Sequence, residues 1–173
     1  IYKISIHINA LLGFNSGWIP KKTLKKILAA KTNPVVVDVG CNVGEFSELV
    51  FKFNDSSIIQ AFDLHKSLSP VLNKKFKKYH FNFSQMALSD YSGSIGIESN
   101  TKNDRKAFIT KNKFSKSVKV DKLDNMLKRF RFSSIAIIKI DTEGNDYKVY
   151  AGVNPSPQYL RYNFSGDKEI GRQ

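Results

Sequence analysis

The stretch that decides the reading is Val35-Val36-Val37-Asp38-Val39-Gly40-Cys41-Asn42-Val43-Gly44-Glu45-Phe46. Three consecutive valines suit a strand buried on both faces, as in a parallel sheet. The run ends around an acid, Asp38, and enters a turn holding Gly40 and Gly44. Glycine lets the backbone turn sharply and approach a ligand closely, because no Cβ intervenes. A helix predicted to start near Glu45 would offer free N–H groups and a positive dipole end to that ligand. Strand, turn and helix together predict a nucleotide-like cofactor held by Asp38, Gly40, Asn42, Gly44, Glu45 and Phe46. The alternative is an ordinary strand–turn–helix with no ligand.

The spacing discriminates between cofactors. A nicotinamide dinucleotide site reads G-x-G-x-x-G, with pyrophosphate on the helix N-terminus. Here the glycines are spaced G-x-x-x-G and Phe46 follows the second. Asp38 would repel a pyrophosphate, whereas it suits a cation. S-adenosylmethionine has no phosphate and carries an ammonium group. The Val-Asp-Val-Gly-x-Asn-x-Gly segment resembles the first motif of class I methyltransferases.

Ile58-Ile59-Gln60-Ala61-Phe62-Asp63 reads as a second buried strand ending in an acid. Asp63 follows Gly40 by 23 positions, close to the ~20 expected for the acid that grips ribose hydroxyls in a βαβ unit. Its other reading is a cap for the 67–78 segment. In Ser84-Gln85-Met86-Ala87-Leu88-Ser89-Asp90, the residues Met86, Ala87 and Leu88 are predicted to form an apolar slot for a purine, with Asp90 or a backbone group meeting its amino group. Asp121 is predicted to cap the helix beginning Lys122-Leu123-Asp124. Ile135-Ala136-Ile137-Ile138-Lys139-Ile140-Asp141-Thr142-Glu143-Gly144 forms another buried strand, ending in two acids.

These segments resemble the FkbM-type methyltransferase family: an Asp-x-Gly-x-Asn-x-Gly turn, Ala-Leu-Ser-Asp, a Leu-Asp-x-x-Leu helix start and a Lys-x-Asp-x-Glu-Gly strand end, in that order. The match runs from about Pro34 to Gly152. Two positions depart from it. Asp63-Leu64 stands where the family has Glu-Pro, and Asp146 stands where its last motif ends in glutamate. The resemblance implies an α/β, Rossmann-like class I sandwich with a mostly parallel central sheet. It also implies methyl transfer from S-adenosylmethionine, commonly to a hydroxyl of a sugar, glycolipid or other small acceptor. Ligands sit at the carboxyl ends of such strands, so Asp141 is expected near the methyl and acceptor, with Glu143 orienting cofactor or acceptor. Paired acids also suit a divalent cation, but no third ligand joins them with clear spacing, so no metal is assigned.

With 41% hydrophobic and 25% charged residues, the 173 positions suit one globular domain. Pro20 to Ala30 predicts an amphipathic helix with Leu24, Ile27 and Leu28 on one face. The expected organisation is a helical lead-in over 1–33, a cofactor-binding core over 34–152 and a divergent tail over 153–173. The lone cysteine, Cys41, agrees with a cytoplasmic, reducing compartment, and it reads as a packing residue. No apolar run approaches the ~20 residues of a bilayer span, and the stretch at Leu11-Leu12 lacks the marks of a signal peptide. After the last acid motif only Tyr159 to Phe164 reads as strand. The chain thus reads as a fragment or C-terminally divergent member, with a sheet edge left unpaired. Asn154-Pro155-Ser156-Pro157 reads as a plain turn rather than the proline loop of amino-methylating enzymes.

The net charge is +13, with basic residues over Lys66 to Lys78 and Lys102 to Arg131, the latter interleaved with Phe108 and Phe114. Such a surface meets nucleic acid, an anionic glycan or lipid head groups; its bland reading is a solvated face. Two alternatives to O-methylation therefore stand: a nucleic-acid methyltransferase, and a non-catalytic remnant that binds cofactor or a partner.

Overall fold

The computed structural model describes residues 4–6, 20–98, 108–110, 116–132, 134–142, 144–153 and 161–162. In chain order the elements are β1 (Ile4–Ile6), α1 (Lys21–Ala29), β2 (Val35–Val39), α2 (Glu45–Phe53), β3 (Ile58–Asp63), α3 (Leu68–Lys75), β4 (His80–Gln85) and β5 (Ala87–Ser89). There follow β6 (Gly93–Glu98), β7 (Phe108–Thr110), β8 (Lys116–Lys122), α4 (Leu123–Phe130), β9 (Ile135–Ile140), α5 (Asp146–Ala151) and β10 (Arg161–Tyr162).

The two most continuously apolar runs become the central strands. β2 and β9 lie side by side in a six-stranded sheet of order β10-β1-β9-β2-β3-β4, with Val36 opposite Ile137 and Val39 opposite Ile140. All its pairings are parallel, so both faces must be covered. On one face Leu24 and Leu28 of α1, Val50 and Phe51 of α2, and Leu72 and Phe76 (α3 and its C-cap) pack against Val36, Ile59 and Ile137. On the other, Leu123 and Met126 of α4 and Val149 of α5 pack against Val37, Phe62, Ile138 and Ile140. Each such side chain contributes roughly 1.5–3 kcal/mol by leaving water. The result is a three-layer α/β, Rossmann-like architecture.

β9 has neighbours on both sides, because β1 and β10 extend the sheet beyond it. The sequence reading expects an unpaired edge in this sheet and treats Ile4–Ile6 as lead-in, while its strand over Tyr159 to Phe164 contains β10. A three-residue strand is recognisable only through its distant partner, which no local pattern records.

The chain leaves this sheet at Met86, whose N–H donates to the Asp63 carbonyl at 2.9 Å. It then builds a smaller sheet of order β5-β8-β6-β7, cored by Ala87, Ile95 and Val120. β8 runs directly into α4, so Lys122 is the N-cap residue and no side chain caps the helix. Asp121, expected as that cap, lies within β8 instead. Its Oδ1 accepts from Ser92 Oγ (2.7 Å), Asn125 Nδ2 (2.7 Å) and the Lys122 N–H (2.8 Å), while Arg129 Nη2 lies 3.0 Å from Oδ2. α5 docks on β5 so closely that a Cβ at Gly152 would collide with the Ser89 carbonyl oxygen.

Candidate functional site

The glycine turn is held by the ends of two neighbouring strands. The Gly40 and Cys41 N–H groups both donate to the Phe62 carbonyl, at 2.9 and 3.1 Å, tying the exit of β2 to β3. Gly40 has φ +72°, and a Cβ there would strike the Asp141 carbonyl oxygen. Glycine is required at that point both for its dihedral and for the backbone contact with β9. Asn42 is also left-handed, at φ 47°, and its N–H donates to Asp63 Oδ2 at 2.9 Å. Gly44, at φ +77°, is the N-cap of α2, and a Cβ on it would stand 2.6 Å from the Phe76 ring. The helix begins at Glu45, as its position after the turn predicts.

Beneath this turn lies an ion cluster whose central member has no assigned role in the sequence reading. Asp38 is fully buried. Its Oδ2 accepts from Ser47 Oγ of α2 at 2.7 Å, and Lys139 Nζ stands 3.2 Å from Oδ1, an ion pair without the alignment of a hydrogen bond. Lys139 also donates to the Gly40 carbonyl at 2.7 Å and lies 3.7 Å from Asp141 Oδ2. The cation expected to meet Asp38 is therefore supplied by the chain itself. Burial works against the Lys139 charge, but Asp38 and then Asp141 outweigh it and hold its pKa above the ordinary 10.5. One signal pointed here: a lysine inside the run Ile135-Ala136-Ile137-Ile138-Lys139-Ile140 must be paired if that strand is buried.

Asp63 sits half-buried at the carboxyl end of β3. Besides the Asn42 N–H at Oδ2, it accepts the His65 N–H at Oδ1, 3.1 Å away. Both oxygens are oriented by backbone donors, and each keeps lone-pair capacity for another partner. Asp141 follows β9, its N–H donates to the Val39 carbonyl at 3.0 Å, and its side chain is 51% exposed. The next turn is closed by Asp146, whose Oδ1 accepts both the Thr142 N–H and Thr142 Oγ1 at 2.6 Å. The acid that departs from the family motif thus fixes the loop after Asp141. Asn145 Nδ2 donates to the Leu88 carbonyl at 2.9 Å, linking this loop to β5.

Glycine turn, Asp63, Met86 and Asp141 are therefore joined around the carboxyl edge of the main sheet. Other predicted positions are placed differently. Phe46 is buried in the core between α2 and the sheet, so its side chain offers no surface to a cofactor. Ala87 and Leu88 are successive strand residues and point to opposite sides. Ala87 belongs to the small-sheet core and Leu88 to the main one, so they do not line one slot; Met86, beside Asp63, is half-buried, as are Val43 in the glycine turn and Leu64. Glu45 and Asp90 are exposed, and among the described residues no contact joins either to Asp63 or Asp141. Glu143 lies outside the described residues, as do Lys111, Lys113, Phe114 and the turn at 154–157. Cys41 is buried; burial first, and then the charges of Asp38 and Asp63, push its thiol pKa up, so it is no nucleophile.

The electrostatics of the edge are one-sided. Its solvent-facing groups are the carboxylates of Asp63 and Asp141, with Glu45 on the first turn of α2. Of the nearby cations, Lys139 is engaged by Asp38 and Asp141, and Lys75 by Glu48 at 2.7 Å and the Val43 carbonyl at 3.1 Å, while Lys66 is exposed in the loop after Asp63. This arrangement can receive a cationic ligand bearing hydroxyl donors, and it disfavours a pyrophosphate.

No curated protein matches the chain. A family model described as Methyltransferase FkbM domain matches residues 38–158. That span takes in the carboxyl ends of β2, β3 and β9, and the chain belongs to the FkbM methyltransferase family.

Proposed function

We propose that this chain is an S-adenosylmethionine-dependent methyltransferase acting on a hydroxyl oxygen of a sugar, glycolipid or other small acceptor. The observation that carries the reading is the Asp63 carboxylate, oriented by the Asn42 and His65 N–H groups at the strand end beside the glycine turn. The charge of the edge supports it, since the ammonium, sulfonium and ribose diol of this cofactor each suit a carboxylate. When bound, the cofactor would supply an electrophilic methyl on its sulfonium, which an acceptor oxygen attacks in line as the thioether leaves.

The protein's share of the chemistry is then small in number of groups. Asp63 holds the ribose hydroxyls, each charge-assisted hydrogen bond contributing roughly 1.5–3 kcal/mol. Asn42 and Gly40 keep the turn close to the strand ends. Asp141 orients the acceptor hydroxyl and receives its proton, an effect of typically 10²–10⁴-fold. Alignment of acceptor and methyl supplies up to about 7–11 kcal/mol. The test is transfer of labelled methyl to a panel of sugars and glycolipids. Asp141→Asn should lower the rate by about a hundredfold or more while leaving cofactor affinity within a few fold. Methyl transfer to nitrogen acceptors alone would contradict the hydroxyl reading. The net charge of +13 favours one second reading, a nucleic-acid acceptor, and transfer to RNA or DNA that falls steeply with salt would establish it.

A further inference from the structure

α1, α2 and α3 cover one face of the parallel sheet. α1 and α2 are tied by Asn54 Nδ2 donating to the Leu28 carbonyl at 3.0 Å, and α2 meets α3 through the Lys75–Glu48 pair. The outer surface of this layer carries an excess of lysine over its exposed acids, Glu45 and Glu48 of α2 and Asp55 in the turn after it. α1 exposes Lys21, Lys22, Lys25 and Lys26, while α3 and the turn after it expose Lys74, Lys77 and Lys78. Among the described residues, Lys75 is the one lysine of the layer with an acidic partner. α3 and the turn after it also expose Val71 at 52% and Tyr79 at 41%. Like charges held together repel one another, and an exposed valine among them adds an apolar contact point.

The kind of cation narrows the partner. Residues 20–98 contain no arginine, although arginine's planar fork is the group suited to clamping phosphates and reading base edges. Stacking of unpaired bases uses open aromatic faces, whereas the Tyr79 ring lies on Phe51, with centroids 4.3 Å apart and planes 16° apart. Lysines acting as point charges need no such geometry against a plane of anionic head groups. Leu24 and Leu28 are fully buried in the core, so α1 cannot turn its apolar stripe toward lipid. No helix among the described residues is long and apolar enough to cross a bilayer.

We propose that the α1–α3 face docks peripherally on an anionic lipid bilayer, with the lysines meeting head groups and Val71 and Tyr79 entering the interfacial zone. The inference stands apart from the methyltransferase reading, because it uses none of the residues at the sheet's carboxyl edge.

The experiment is co-sedimentation of the 173-residue chain with vesicles of phosphatidylcholine alone and of phosphatidylcholine mixed with phosphatidylserine, beside titration of an RNA hairpin at the same salt. Two charge-reversed pairs, Lys22→Glu/Lys25→Glu and Lys74→Glu/Lys77→Glu, are compared with a control pair on the small sheet, Lys119→Glu/Lys122→Glu. Thermal melts establish that each is folded, and Lys→Gln pairs replace any that is not. Binding is expected only to the phosphatidylserine vesicles, each α1 or α3 pair lowering partitioning at least about twenty-five-fold and the control pair by far less. Absence of binding to these vesicles, tighter binding to the hairpin, or equal losses from control and test pairs would each overturn the proposal.

Discussion

Asp38 and Asp121 are both buried aspartates, and they are satisfied in opposite ways. Asp121, at the joint of β8 and α4, takes three hydrogen bonds on one oxygen and a guanidinium on the other. Burial tends to raise its pKa, but those bonds and the Arg129 charge prevail and hold it below the ordinary 3.8. Among the described residues, Asp38 has one hydrogen bond, from Ser47, and one cation, which it shares with the exposed Asp141. A fully bonded carboxylate fastens the small sheet to its helix. An incompletely bonded one, coupled through a lysine to a solvent-facing acid and a glycine turn, links the core to the carboxyl ends of the strands. Polar groups buried with spare capacity are expected at functional sites, where local rules are broken for a purpose.

The largest effect should follow from removing the shared cation. Lys139→Met leaves Asp38 buried without a counter-charge and should cost about 3–5 kcal/mol, read from urea midpoints. Adding Asp38→Asn should recover much of that loss; simple additivity of the two changes would break the claim that they act as a pair. Gly40→Ala comes next, at roughly 2–5 kcal/mol, because a left-handed dihedral and a backbone collision combine. Asp121→Asn should cost about 1–3 kcal/mol.

pH should sharpen the contrast between the two aspartate sites, because their pKa shifts have opposite senses. The Asp121 carboxyl is depressed, so its contribution is present above pH 3.8 and fades as pH falls through the folded value. Lys139 is elevated, so its contribution is present below 10.5 and fades as pH rises through the folded value. The stability difference between the wild type and Asp121→Asn should therefore shrink in acid, and that for Lys139→Met in alkali. Persistence of the Asp121→Asn difference in acid, or of the Lys139→Met difference in alkali, would undo the comparison. The smallest effect belongs to the exposed Lys128–Asp124 pair, 2.7 Å apart on α4. Lys128→Ala should shift stability by no more than about 0.5 kcal/mol.

Those sites also mark how far the sequence could be read. β2, β3 and β9 were legible because buried parallel strands are continuously apolar, and Gly40 and Gly44 because a sharp turn has few chemical solutions. α1 was legible from the spacing of Leu24, Ile27 and Leu28. Pairings across long stretches of chain were not: β1 beside β9 and Ser92 on Asp121 leave no local trace. Ala87 and Leu88 misled because their segment proved to be a strand, whose period of two sends neighbours to opposite cores. Lys139 was visible as an anomaly in its isoleucine run, yet which acids it joins depended on the register of β2 against β9.

The central claim, that the carboxyl edge of the sheet receives S-adenosylmethionine through Asp63, is tested most directly by calorimetric titration of the cofactor into the folded chain and into Asp63→Ala. The prediction is saturable binding to the wild type, weakened about tenfold or more by a substitution that removes the charged hydrogen bonds. No binding by a folded, monodisperse wild type, or equal affinity in the variant, would contradict the account.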